Sequence, residues 1–288
     1  MRLILKGIQC LKEEGPKTFS RKFYRYSSQI PFKIARSKVP RLYYSTAERW
    51  HRYFRDFNTD SWEAPLNPYK TIWINSDEIN EVTGRVPNLP FEERIKKFGE
   101  VKEGDWDITD QIQYQAWYPE KYGDNKWLYD LLYDKKVEET VFFRSADNHF
   151  KNNIDWENTE FYRKMIEGFD NEKSGFPTYG RNEKELKQNL RGIDRLYDKI
   201  KDKGVKQQHQ IKKKCYLHLL NDSILVDISR NGKFLFVEGR RRLTIAKILD
   251  LEKIPVKVQV RHPQWMDYRD KVYNQKSGEG HPDFSEFR

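Results

Sequence analysis

Apolar residues recur along this chain in helical and strand rhythms that can be separated by position. Near its start, Phe19, Phe23, Tyr26 and Ile30 follow one another at helical spacing, Lys17, Arg21, Lys22 and Arg25 fall between them, and Pro16 and Pro31 bracket the run. From Ser45, with a capping box to Glu48, a second helix is expected to gather Ala47, Trp50, Phe54 and Phe57 on one face and leave Arg49, Arg52 and Arg55 off it. Pro65, Pro68, Pro87 and Pro90 then punctuate the chain around a short strand, Thr71 to Ile74. The helical rhythm returns over Lys126 to Val137 and over Thr159 to Gly168. There Asn158 or Thr159 is placed to cap and Trp156 to pack back as a staple.

The most legible stretch is 186–260. Leu190, Ile193, Leu196, Tyr197 and Ile200 form a helical stripe that stops at Gly204. Ile224 to Ile228 has the composition of a strand, Asn231-Gly232 that of a hairpin turn, and Phe234 to Val237 that of the returning strand. Glu238-Gly239-Arg240-Arg241-Arg242 leads directly into a helix, Leu243 to Leu249, and Pro255 to Val260 is a further strand. The expected class is α+β. Four segments are expected: a basic helical arm over 1–60, a Trp-rich α+β middle over 61–180, the strand and helix unit over 181–262, and a tail over 263–288.

Composition changes this picture in two places. Charged residues at 34% and hydrophobic residues at 37% of 288 lean toward disorder, but 15% aromatics, eight of them Trp, describe a folded chain with a few large anchors. At about 150 residues per domain the length suits roughly two domains. No stretch approaches the ~18 apolar residues of a membrane helix, and Leu3-Ile4-Leu5 is too short for a signal-peptide core, so a cytoplasmic protein is expected. Cys10 and Cys215 are the only cysteines and stand far apart, which writes neither a disulfide framework nor a thiolate metal site.

The net charge of +10 is concentrated at one end. Residues 1–55 hold fourteen Lys or Arg against three acids, a net +11, which leaves −1 for the remainder. Helices of this kind can lie on an anionic membrane surface, follow a nucleic-acid backbone, or pack their rings on the protein's own body with the cations solvated. Peripheral attachment at a membrane is thus one expectation for residues 1–55. Asp105, Asp107 and Asp110 could form a carboxylate cluster, but no His, Cys or Gly pattern accompanies them, and a solvated turn is the favoured reading.

The Gly turn at 239 carries the most chemistry. A turn that feeds a helix start presents unpaired N–H groups and the positive end of the helix dipole, which suits a phosphate. Arg240, Arg241 and Arg242 would add charge-assisted donors there. The competing reading is a structural ion-pair network, with Glu238 and the carboxylate of Asp227 neutralising part of the cluster.

The run Phe236 to Leu249, followed by Ile254-Pro255-Val256-Lys257-Val258, resembles the signature of ParB/sulfiredoxin-like N-terminal domains, and the helix ending at Gly204-Val205-Lys206-Gln207 is similar to the family's upstream helix. The resemblance spans about 75 of 288 residues. It implies a small mixed sheet with helices and a turn that binds nucleotide phosphates. Gly239 would be the turn glycine, Arg241 and Arg242 the phosphate contacts, and Glu238 the acidic position of kinase-like members. The implied ligand is a nucleoside di- or triphosphate with Mg2+.

Departures from the family narrow the expectation. Arg240 stands where sulfiredoxin has its reactive Cys, which removes thiol chemistry. Gln207-Gln208 replaces the partition protein's Gln-Pro, and only 28 residues follow Val260, too few for its helix-turn-helix domain. Arg241 replaces a His that could serve as a base, which favours binding over catalysis. The arm, middle and C-terminal unit together resemble uncharacterised archaeal and viral ParB-like proteins. The candidate phosphate or nucleotide site is therefore Gly239, Arg240, Arg241, Arg242 and Thr244, with Glu238 as candidate catalytic carboxylate and no metal ligands. The expected function is nucleotide or phosphate binding, extending to a phosphotransferase or nucleotide hydrolase. The alternatives are a DNA-associated protein or nuclease that contacts backbone phosphate, and a structural adaptor.

Overall fold

The computed structural model describes residues 47–49, 61–87, 89–116, 123–170, 179–207, 220, 223–275, 280–285 and 287. The expected arm helices, with Lys17, Arg21, Lys22, Arg25, Arg52 and Arg55, lie outside these residues. Only 47–49 is described there; it is helical, with Ala47 buried and Arg49 exposed, in keeping with the face assignment.

The fold is α+β. Strands β1 (Thr71–Ile74), β2 (Glu81–Val82), β3 (Glu100–Val101), β4 (Ile224–Ile228), β5 (Phe234–Glu238) and β6 (Ile254–Arg261) form one six-stranded mixed sheet. Its order is β1-β6-β4-β5-β2, with β3 pairing at the end of β6. Strands from the Trp-rich middle and from the C-terminal unit thus share a single sheet. The helices are α1 (Phe91–Lys96), α2 (Lys126–Leu132), α3 (Val141–Asn152), α4 (Glu160–Asp170), α5 (Glu183–Lys203), α6 (Arg240–Ile248) and α7 (Pro263–Gln275).

Every residue of β4 is buried, which explains its continuous apolar composition. Val226, Ile228, Phe234, Phe236 and Val258 meet Phe142 of α3, Leu190 and Ile193 of α5, and Leu243 and Ile245 of α6 in the main core. Helix α6 packs against α3, α5 and β4. Asn182 caps α5 and Gly204, at φ 64°, ends it. Thr159 caps α4 through the Tyr162 amide at 3.3 Å, and Trp156 is buried against the same core. The hairpin turn over Ser229–Lys233 needs glycine at Gly232 for two reasons. Its φ is 85°, and a Cβ there would stand 2.5 Å from the Trp265 ring.

Several expectations are corrected. Helix α2 stops at Leu132, and Tyr133 is already extended, so the helical rhythm to Val137 is broken before Val137 enters a 3-10 turn. The segment expected only as a tail carries a helix: 263–275 is α7, with Trp265, Met266, Arg269 and Val272 buried. Asp283 anchors it, pairing with Arg261 and with Arg269 Nε at 3.1 Å and accepting from Trp265 Nε1 at 3.0 Å. Asp107 is not solvated. Its carboxylate is buried and accepts the Arg230 amide at 2.7 Å, with Nε at 3.0 Å, so with Asp105 it holds the hairpin turn. Asp227 neutralises no part of the arginine cluster. It is fully buried and accepts from Arg85 Nε at 2.9 Å, Arg85 Nη2 at 2.8 Å and the Val260 amide at 3.1 Å.

Candidate functional site

The β5 to α6 junction brings the sequence-derived candidates together. Register between β4 and β5 slips between Leu225 and Val226, leaving Val237 without an opposite number just before Glu238. Gly239 follows as the N-cap of α6 in the left-handed region, φ 95°. A Cβ at this position would lie 2.8 Å from Ile224 Cα and 3.0 Å from the Ser223 carbonyl oxygen, so the turn admits glycine alone without distortion.

Helix α6 begins at Arg240, three residues earlier than its apolar pattern indicates, so the three arginines form its first turn rather than a preceding loop. The Arg242 and Leu243 amides both return to the Gly239 carbonyl oxygen, at 3.0 and 3.1 Å. The Arg240 and Arg241 amides, as first-turn groups, have no acceptor within the helix. No side chain caps this end and no acid lies in the first turn. The positive end of the dipole is left for something else to complement.

Arg240 defines the site. Its residue is only 6% exposed, and its guanidinium lies 3.9 Å from the centroid of Tyr133 and 5.1 Å from that of Phe236. Tyr133 is in turn stacked on Tyr129 at 4.4 Å. The flat cation is therefore held by rings on its faces, while Nη1 and Nη2 are buried and reach no acceptor with full hydrogen-bond geometry among the described residues. A buried, unsatisfied guanidinium fork is costly unless an oxyanion meets it. Burial pushes the phenols of Tyr133 and Tyr179 above the ordinary tyrosine range; the Arg240 charge opposes that shift in both, and in Tyr133 a side-chain hydrogen bond from Arg240 opposes it as well.

Around Arg240 the remaining candidates take distinct places. Arg241, half-buried, has its guanidinium 5.9 Å from the Tyr179 ring centroid. Arg242 is half-buried and has partners of its own. Thr244, 2% exposed, is a full turn into the helix and faces the core. Glu238 sits at the end of β5, and its Oε2 lies 3.8 Å from Arg94 Nη1. That spacing is an ion pair without a hydrogen bond, and Oε2 is buried with no hydrogen-bond partner among the described residues. Arg94 is oriented by the Leu89 carbonyl oxygen, 2.9 Å from its Nε and 2.6 Å from its Nη2.

Sequence reasoning missed Tyr133, Tyr179 and Arg94, which come from three separate parts of the chain. The one local signal was the i, i+4 spacing of Tyr129 and Tyr133, which places two rings in stacking reach. Among the described residues no group of three or more His, Cys, Asp or Glu is placed to hold a metal ion, and no helix is long and apolar enough to cross a membrane.

Taken together, these features define a mixed α+β protein with an uncapped, arginine-bearing helix start beside a single carboxylate. Compared with known proteins, the chain matches no protein-family model, no curated protein and no solved structure.

Proposed function

We propose that this protein binds a phosphate-bearing ligand at the start of α6, with a nucleotide as the leading candidate and Mg2+ accompanying it on the ligand side. The observation that carries the reading is Arg240: a cation 6% exposed, stacked on Tyr133, whose terminal nitrogens reach no acceptor with full hydrogen-bond geometry among the described residues and have only the Tyr133 phenol as an electrostatic hydrogen-bond neighbour. The first-turn amides of α6 and the Arg241 side chain are further donors at the same helix start. The order of strand, Gly turn, helix and strand over 234–261 supports kinship with ParB/sulfiredoxin-like domains, and that kinship points to the same chemistry.

Calorimetric titration with ATP, ADP, CTP and inorganic phosphate tests this in the parent and in Arg240→Met. Charge-assisted contacts are worth about 1.5–3 kcal/mol each, so the variant should bind at least about tenfold more weakly. Its thermal stability should stay the same or rise, because an apolar side chain of similar size relieves a buried unmet charge. A variant that loses stability but keeps its affinity would make Arg240 a structural residue. Glu238 favours a second reading, turnover as a phosphotransferase or hydrolase, through its position beside the helix start. Phosphate release or transfer by the parent that disappears in Glu238→Gln, with affinity retained, is the result that reading requires.

A further inference from the structure

The outward face of α5 carries its charges in sign order. At 3.6 residues per turn Arg191, Arg195, Asp198 and Asp202 fall within an arc of about 60°, opposite the buried line of Leu186, Leu190, Ile193 and Ile200. All four are exposed. The other carboxylates of the helix are taken up on its flanks: Glu183 pairs with Lys187 at 2.8 Å, Glu185 with Arg181 at 2.7 Å, and Asp194 accepts from Trp156 Nε1 at 2.8 Å. By contrast Arg191, Arg195 and Asp198 have no hydrogen bond or ion pair among the described residues, and Asp202 meets only its exposed neighbour Lys203, at 3.4 Å. Within one chain the pattern is unfavourable. Arg191 and Arg195 are like charges at i, i+4, as are Asp198 and Asp202, a spacing at which like charges weaken a helix. Gly192, at the rim of the same face, weakens it further. No neighbour requires that glycine, since a Cβ there would meet only Arg195 Nη2, at 3.7 Å.

A second copy of the helix, laid antiparallel about a two-fold axis, answers these costs. Residues 191 and 202 lie equally far on either side of a midpoint between 196 and 197, and so do 195 and 198. We infer that α5 is a self-complementary interface through which two copies of this chain associate. Arg191 stands opposite the partner's Asp202 and Arg195 opposite the partner's Asp198, and symmetry makes each pair twice. Gly192 lets the second helix approach closely. Lys184 projects past the end of the partner helix, and Lys199 stands at the rim. The two carboxylates make a nucleic-acid backbone or an anionic lipid surface the poorer occupant, because either would meet like charge at that end of the face. The overlapping helix face is about 21 Å long, which places the association in the small, transient class.

Sedimentation equilibrium of the intact chain, at protein concentrations up to about 1 mM where weak complexes populate, should show reversible dimerisation. Two double variants test the pairing, Arg191→Glu with Arg195→Glu and Asp198→Arg with Asp202→Arg. Each should raise the dissociation constant about tenfold or more, because each sets like charges face to face. Mixed in equal amounts, the two should form a heterodimer at least as readily as the parent dimerises, since one then presents only acids along the face and the other only cations. That recovery also shows both variants to be folded. A parent that stays monomeric throughout would overturn the inference. So would a dimer indifferent to both double substitutions, or one that mixing fails to restore.

Discussion

Both ring nitrogens of His149 face acceptors: Nδ1 lies 2.7 Å from the Ile154 carbonyl oxygen and Nε2 lies 3.3 Å from Asp194 Oδ1. A neutral imidazole can donate to one of them only, so the geometry is that of the cation. Burial pulls its pKa down, but Asp194, the Ile154 carbonyl and Asp155 outweigh that and hold it above the ordinary histidine value. His281 is the opposite case. Its Nε2 lies 3.0 Å from the Gly232 carbonyl oxygen while Nδ1 accepts the Asp283 amide at 3.1 Å, a pattern the neutral ring satisfies. Burial lowers its pKa, with Asp283 opposing. Stability from His149 is fully present below the unfolded value of about 6.5 and is lost as pH rises through the higher folded pKa. His281 has the reverse sign: stability falls as pH drops below about 6.5, where only the unfolded state takes up the proton. Proton NMR titration should find His149 with a midpoint above that value and His281 below it. Thermal denaturation of His149→Gln should flatten the loss of stability on the alkaline side alone. An unchanged alkaline limb would show that His149 does not carry its charge in the folded state.

At the scale of single elements, the β5 to α6 junction is tightly constrained. Gly239→Ala combines a φ of 95° with a Cβ 2.8 Å from Ile224 Cα, and should cost about 1–3 kcal/mol in urea denaturation. Asp227→Ala leaves Arg85, 3% exposed, without its carboxylate and should cost about 3–5 kcal/mol by the same measurement. Either variant within 0.5 kcal/mol of the parent would contradict the packing described. These elements were legible in the sequence because their signals are local. Asn231-Gly232, the alternation into Phe234 and the Gly239 turn each depend on neighbours a few residues away. What stayed hidden depends on distance. Asp227 is assigned by sequence to the nearby arginine cluster because its true partner, Arg85, lies 142 positions earlier. Helix α3 went unread, and α7 lies in the segment read only as a tail. Residues Tyr133, Tyr179 and Arg94 reach the site only through the packing of the sheet and helices.

Taken whole, the molecule separates its charge from its core. Eleven Lys or Arg and two acids precede Ala47, so removing 1–46 takes away +9 and leaves a net +1. The truncated protein should stay folded, since Ala47 is buried and Glu48 accepts from Asn67 Nδ2 at 2.8 Å just beyond the cut. It should also lose salt-sensitive binding to anionic vesicles or to DNA, whichever the intact chain shows. Retained salt-sensitive binding would move that footprint onto the body. For the body, the central claim is that the Arg240 fork awaits an oxyanion, and Arg85 serves as an internal control because Asp227 already occupies its fork. Titrating glycerol 3-phosphate into arginine-15N-labelled protein and following the guanidinium resonances tests that claim most directly. The Arg240 signals should shift and saturate as the ester binds while those of Arg85 stay in place. Saturable binding that moves other arginines and leaves Arg240 unchanged would contradict the account.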